Sequence, residues 1–250
     1  MGVKAAIKCS EFAIGQVRSF RGLVADLTRL FSFIRRKRQI NAYFKANRVR
    51  KVQLGASGSP LVGWLNTDLL PTSPSVVYLD ASKHFPFPDD SIDYIEAEHM
   101  IEHIDYLAGQ SMLRQCYRVL RPGGRVRMST PDLSVILGLH ANPKSPKQEW
   151  FIRARAASPD LSPLLSLHTS PGLSIQDVFI INQSFHGWGH QFLYDQDTLK
   201  AAFMNVGFQR VSFYKSGESD DAHLQDIETH GRFGGEEMNS FETTVIEAQK

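Results

Sequence analysis

Only two cysteines occur in the 250 residues, Cys9 and Cys116, far apart and outside any C-x-x-C pairing. That scarcity excludes a disulfide framework and a thiolate zinc site, and makes a reducing cytoplasm the default compartment. Nor is there a run approaching the roughly 18 apolar residues needed to span a bilayer. Apolar positions near the N-terminus are interrupted by arginines, so a cleaved signal peptide is not expected. Acids are scarce in the first fifth of the chain: residues 1–51 hold 13 Lys and Arg against Glu11 and Asp26, a balance of +11, while the remaining 199 residues carry −9. With 42% hydrophobic and 22% charged residues, the composition is that of a globular protein and excludes a disordered or collagen-like chain.

What the basic segment does contain is a pattern. Phe20, Leu23, Val24, Leu27, Leu30, Phe31 and Ile34 recur at helical spacing, with Arg18, Arg21 and Arg29 between them and "RRKR" (Arg35–Arg38) directly after. This predicts a basic amphipathic helical arm over residues 1–50, ahead of a body spanning 51–250. The helix can dock on the body, lie on a membrane surface at the inner face, or act as a nucleic-acid arm. No aromatic and basic interleaving supports the last, and no nucleic-acid partner is expected.

From residue 51 the pattern changes to short runs bounded by Gly, Pro, Asp or Ser. "KVQL" (Lys51–Leu54), "WLNTDL" (Trp64–Leu69), "VVYLD" (Val76–Asp80), "DYIEAE" (Asp93–Glu98) and "RVRMST" (Arg125–Thr130) read as strands. "SMLRQCYRVL" (Ser111–Leu120) has helical periodicity and stops at "RPGG". Strand, helix, strand in that order implies a parallel α/β sheet, in which ligands sit beyond the carboxyl ends of the strands. The loop "GASG" from Gly55 therefore stands in a ligand-binding place, and Asp68 ends the next strand, where a carboxylate can accept two ribose hydroxyls. A glycine loop alone is weak evidence, and a plain turn with a solvated acid is the alternative.

Residues downstream of the loop strengthen the ligand-binding reading. "LDASKHFPFPDDSIDYIEAEHMIEHI" and "CYRVLRPGGRVRMSTPDL" resemble class I S-adenosylmethionine-dependent methyltransferases, particularly the type 11 group. The resemblance is specific over residues 51–132. It extends loosely to "YDQDTLKAAFMNVGFQRVSFYKS", which is similar to the family's last helix and sixth strand, and to "FETTVIEAQK", similar to its terminal antiparallel strand. It implies a Rossmann-like α/β fold, mostly parallel with an antiparallel last strand, and S-adenosyl-L-methionine as cofactor. It further implies that Gly55, Ala56, Ser57 and Gly58 pass under the methionine part, Asp68 holds the ribose, Asp80 with Ala81 takes the adenine, and Glu98 lies at the same rim.

Two departures stand out. The family's second glycine falls near Ser57, whereas "GASG" puts it one place later. Only nine residues separate Leu54 from Trp64 and six separate Leu69 from Val76, too few for crossovers that take about a dozen or more. The first crossover helices are therefore expected to be shortened or missing. The sheet face they leave would be covered by the Phe20–Ile34 segment, so that deleting residues 1–45 should give insoluble or molten protein.

Chemistry is expected at "EHMIEH", after the fourth strand. If helical, His99 and His103 share a face with Glu102 beside both. Some ubiquinone-pathway relatives have an acid-x-x-Glu-His here and bind a metal, but His99 occupies the acid's position, so no metal is expected. Residues 133–192 show no family pattern and are read as a substrate lid closing on "HGWGHQF", with His186 and His190 four residues apart. "GESDDAHLQDIETHGRFGGEE" reads as a mobile solvated loop. Methyl transfer to an oxygen or nitrogen of a small molecule, saccharide or lipid-linked intermediate needs a base, for which His103, His99 and His186 are candidates. The alternatives are a degenerate cofactor-binding partner protein and, on the H-x-x-E-H pattern, a metal-dependent hydrolase using His99 and His103.

Overall fold

The computed structural model describes residues 27–168, 172–231 and 235–250. Seven strands form one sheet: β1 (Lys51–Leu54), β2 (Leu65–Asp68), β3 (Val77–Tyr78), β4 (Ile92–Glu98), β5 (Leu120–Pro131), β6 (Gln209–Tyr214) and β7 (Thr243–Gln249). Their order is β3-β2-β1-β4-β5-β7-β6. β1 to β5 run parallel, and β7 is antiparallel to both β5 and β6. This is the Rossmann-like arrangement expected from the sequence. The direction of strand progression reverses between β1 and β4, which makes the carboxyl ends of these two strands the switch point where a crevice opens.

No helix lies between β1 and β2 or between β2 and β3; residues 55–64 and 69–76 pass as turns and bends. The helices present are α1 (residues 27–46), α2 (Tyr106–Val119), α3 (Leu133–Gly138), α4 (Pro146–Ala156), α5 (Ser162–Leu165), α6 (Leu173–His186), α7 (Gln196–Val206) and α8 (Glu236–Glu242). A 3-10 turn at Ile101–His103 comes after β4. Asp105 starts α2 as its N-cap, accepting from the Ala108 N–H at 2.9 Å.

The two faces of the sheet differ in chemistry because strand side chains alternate. On one, Val52, Leu54, Ile95, Ala97, Val126, Met128, Ile246 and Ala248 form a single cluster with Met112, Leu113, Cys116 and Val119 of α2 and Leu199, Ala202 and Phe203 of α7. The interleaved positions, Gln53, Glu96, Glu98, Arg127, Ser129 and Glu247, turn to the other face and are largely buried as well, but polar. Their cover is the segment joining β6 to α8. Arg127 donates to the Glu228 and Glu247 carboxylates and to the Glu218 carbonyl, and Glu98 accepts from the Thr229 and His230 N–H groups and the Thr229 hydroxyl. The stretch expected to be a mobile solvated loop is thus docked through residue 231. A polar sheet face requires a cover rich in acids and backbone donors, which is what the stretch supplies.

The arm likewise docks differently from expectation. Phe20, Leu23 and Val24 lie outside the described residues. Of the seam's remainder, Leu27, Leu30, Phe31 and Ile34 are exposed. Ile40, Tyr43 and Phe44, later in α1, join the main core instead. The Ser32 hydroxyl accepts from the Tyr78 N–H at 3.0 Å, the Gln39 amide donates to the Pro74 carbonyl at 2.8 Å, and the Tyr43 hydroxyl lies 3.0 Å from both the N–H and the carbonyl of Lys51. The helix therefore closes the β2–β3 edge, where unpaired strand groups would otherwise be open.

Residues 133–168 and 172–192 carry helices with their own core of Leu139, Phe151, Ile152, Ala156, Leu161, Leu165 and Ile180, joined by Met238 and Phe241 of α8. One sequence signal for this was present and unread: "SPKQ" is a capping box, Ser145 with Gln148 and Pro146 at the first turn of α4.

Candidate active site

A cavity of about 830 Å³ opens at the switch point. One end is lined by Gly55, Ala56, Ser57, Gly58, Asp68, Leu79, Asp80 and Ala81, residues that come after β1, end β2 or come after β3. Each is held there by the backbone. Gly55 has φ 70°, and a Cβ at that position would stand 2.6 Å from Met100 Cγ. Ser57 also adopts a left-handed backbone, φ 44°, and its N–H donates to Asp68 Oδ2 at 2.7 Å. The loop thus makes with serine the turn for which a glycine was expected. Gly58 has no positive φ and no close neighbour. Asp68 Oδ1 accepts from the Leu70 N–H, and Asp80 Oδ1 from the Ser82 N–H and hydroxyl.

The other end is lined by His99, Glu102, His103, Arg155, Asp160, Trp188, His190, His230, Met238, Asn239 and Glu242, brought from the β4 end, the insertion, the β6–α8 segment and α8. His99 and His103 do not share a helical face, because His99 sits before the 3-10 turn with φ 45°. Its Nδ1 lies 3.2 Å from Glu102 Oε1, and its Nε2 lies 3.2 Å from Asn239 Oδ1 and 3.1 Å from Thr243 Oγ1. Burial by itself would lower the His99 pKa, but the Glu102 carboxylate against it holds the pKa above the ordinary value. Glu102, fully buried, would be raised by burial and is instead lowered by His99. Each partner thus favours the charged form of the other. The His230 ring stacks on His99 with centroids 3.9 Å apart, and burial together with the His99 charge depresses it to about 4.

His103 faces another histidine. The Gln191 N–H donates to the Glu102 carbonyl at 2.7 Å and the Gln191 amide donates to the His103 carbonyl at 2.8 Å. These bonds tie "HGWGHQF" to "EHMIEH" and set the rings of His103 and His190 edge to face, 5.0 Å apart. His190 Nδ1 lies 2.7 Å from the Ser184 carbonyl, which can only accept, so Nδ1 carries the proton and Nε2 the lone pair. Burial lowers the His190 pKa. His186, named as a candidate base, is exposed at the end of α6 and does not line the cavity; His190 occupies the place foreseen for it. Glu98 lines the cavity, but its carboxylate is taken up by Thr229 and His230. One ligand-capable atom each from Glu102, His103 and His190 lies within 4.8 Å of the others, the single such grouping among the described residues.

Among the described residues, three of the six non-glycine positions with positive φ, Ser57, His99 and Trp188, line this one cavity. Backbone strain of this kind collects where the surroundings over-determine a geometry needed for function. The residues also suit an adenosyl cofactor. Asp68 and Asp80 each keep acceptor capacity toward the cavity, with the bonds to Asp80 falling on Oδ1, and Leu79 and Ala81 give an apolar wall between them.

Residues 63–128 match the family model described as a methyltransferase domain. No curated protein matches the chain. Among solved structures, the chain is similar to an S-adenosylmethionine-dependent methyltransferase of Archaeoglobus fulgidus, at 16% identity and TM-score 0.44, over 92% of this chain and 100% of that one. It is also similar to a methyltransferase of the same dependence from Mesorhizobium loti, at 16% identity and TM-score 0.43, over 84% and 96%. A third similar structure is phosphoethanolamine N-methyltransferase 2 of Haemonchus contortus, in complex with phosphomonomethylethanolamine and S-adenosylhomocysteine, at 12% identity and TM-score 0.40, over 81% and 48%. The family match runs from the start of β2 through β4 and α2 into β5, the segment that carries Asp68, Asp80 and the Glu102–His103 turn, and this part of the chain is a methyltransferase domain.

Proposed function

We propose that the protein methylates an oxygen or nitrogen of a small molecule, a saccharide or a lipid-linked intermediate, with His103 and His190 receiving the acceptor's proton. The observation that carries this reading is the two-ended cavity: carboxylates and a tight loop at one end, a pair of imidazoles at the other. The Gly55–Gly58 loop and Asp68 hold the methionine and ribose parts of the cofactor, and Asp80 accepts from the adenine amino group. Bound there, S-adenosylmethionine supplies a methyl group already activated on a sulfonium. The protein's own tasks are alignment of the acceptor and removal of a proton. His190 is suited to the second because burial keeps it neutral and the Ser184 carbonyl fixes which nitrogen is free. His99 is a positioning residue: buried, with Nδ1 against Glu102 and Nε2 against Asn239 and Thr243, it holds Glu102 and the turn carrying His103. Residues 133–192 close the acceptor end through Arg155, Asp160 and Trp188. A cytoplasmic setting agrees with cysteines that no pairing motif joins.

The test is calorimetric titration with S-adenosylmethionine and its demethylated product, followed by transfer of labelled methyl to an acceptor library. Asp68→Ala and Asp80→Ala should each weaken binding about tenfold or more, by the loss of charge-assisted hydrogen bonds. His190→Ala should leave binding intact and lower turnover about 10²-fold or more. Wild-type turnover should stay level from neutral pH upward and fall on acidification below the ordinary histidine range, since the His190 pKa is lowered. Binding without turnover on any acceptor would favour a degenerate cofactor-binding protein, and no heat in any sample would reject the reading.

A further inference from the structure

From the exposed side of α1 we infer a docking surface for a membrane bearing anionic lipid headgroups. Leu27, Leu30, Phe31 and Ile34 follow the spacing of one helical face, and they are 46%, 54%, 64% and 67% exposed. This face is opposite the one that docks: Ser32, Gln39, Ile40 and Tyr43 contact the body, and Arg36 lies over the Phe33 and Tyr78 rings at 4.6 and 5.9 Å. The apolar stripe is thus not a core face left incomplete, because the same helix already has its core face filled. Further along α1 the solvent side turns cationic, with Arg35, Lys37, Arg38 and Lys45 all exposed and no acid anywhere in residues 27–46.

Both halves of that surface fit one occupant. A bilayer interface takes aliphatic and phenyl side chains at the level of the acyl boundary and basic side chains at the headgroups. An excess of positive charge on a segment without acids adds attraction to an anionic leaflet. A nucleic acid would use the cations and leave four large apolar groups in water. A second copy of this helix would bring like charges together. Leu69 and Leu70, both about half exposed, line the cavity next to the β2–β3 edge on which α1 sits, so the surface and the cofactor end of the cavity share one edge of the sheet. The surface stands apart from the methyl-transfer reading and holds whatever the acceptor is.

The experiment uses the full chain with vesicles of phosphatidylcholine alone and with about a third phosphatidylglycerol. Flotation is expected with the anionic vesicles only, weakening steeply between low and moderate salt. The double variant Leu30→Asp, Phe31→Asp should abolish it, and Arg35→Glu, Arg38→Glu should reduce it by at least about thirtyfold. Since all four side chains face solvent, each variant should keep wild-type circular dichroism and cofactor heat, which separates lost docking from lost fold. No flotation at low salt would overturn the inference. So would binding to a polyanion such as heparin that Leu30→Asp, Phe31→Asp leaves unchanged while flotation is absent, or a dimer in light scattering that the same variant dissociates.

Discussion

At the scale of single residues, the loop after β1 shows where one-letter patterns mislead. "GASG" carries its glycines at 55 and 58, but the backbone asks for left-handed geometry at 55 and 57. Ser57 supplies it at a cost of about 1–2 kcal/mol for an L-residue, offset by the 2.7 Å bond from its N–H to Asp68. Ser57→Gly should therefore change stability by no more than about 1 kcal/mol, because relief of strain is balanced by the extra freedom of the unfolded chain, and should leave cofactor affinity intact. Gly55→Ala is a different case: its Cβ would clash with Met100, whose chain segment links β4 to the His103 turn. Its dissociation constant for S-adenosylmethionine should rise at least about tenfold. Equal affinity for Gly55→Ala and wild type, measured calorimetrically, would show that the loop does not contact the cofactor. Asp68 and Asp80 were legible because strand-end acids can be located from the strands. That His190 rather than His186 would line the cavity was harder to read, since the bond from Gln191 to the His103 carbonyl spans 88 residues and no local pattern encodes it.

At the scale of elements, strands β1 to β5 were legible from their runs, and even the loss of two crossover helices could be counted from loop lengths. What covers the polar face was not. The alternation Gln53, Glu96, Glu98, Arg127, Glu247 is visible in the strand runs, yet a buried parallel sheet ordinarily reads as continuous hydrophobic sequence, and the polar positions look like solvated ones. The physical explanation is a buried ion network. Arg127, 1% exposed, is neutralised by Glu228 and Glu247 and also donates to the Glu218 carbonyl. Removing a partner from a buried network leaves charges unpaired and costs roughly 3–5 kcal/mol, more than replacing the whole network with apolar groups would. Arg127→Ala should lower the denaturant midpoint by a corresponding amount and speed amide exchange in residues 215–231, with cofactor heat retained where the protein is still folded. A loss below about 1 kcal/mol, under the ordinary worth of a hydrogen bond to a charged group, would mean that the loop is held by Glu98 alone. Glu96 sits in the same layer with its pKa raised well above the ordinary range, by burial first and by Glu98 and Glu228 next. Because its folded pKa exceeds the unfolded one, the native state binds the extra proton, and the contribution of Glu96 to stability falls as pH rises above the usual carboxylate range.

Over the whole molecule, the described part of the charge split becomes a division of labour: α1, with six Lys and Arg and no acid in residues 27–46, lies on one edge of a body whose residues 52–250 carry −9. The sequence pattern identified the helix but assigned its apolar residues to the wrong side. The described part of the stripe that looked like a core face, Leu27 to Ile34, is solvent-facing, and the residues that dock are the sparser Ile40, Tyr43 and Phe44. Full burial of Ile40 contributes about 1.5–3 kcal/mol, and the half-buried Tyr43 and Phe44 add a smaller amount each, so the three together are a sizeable part of the roughly 5–15 kcal/mol by which a native protein is typically stable. Removal of residues 1–46 should accordingly yield protein without a cooperative thermal transition, whereas Leu30→Asp, Phe31→Asp should melt within a few degrees of wild type. The comparison by calorimetry is decisive in both directions. A cooperative transition in the truncated protein would show that α1 is an appendage to a self-sufficient body. A large drop for the double variant would mean that the solvent-facing stripe is covered in the native protein and that the helix carries its packing on both sides.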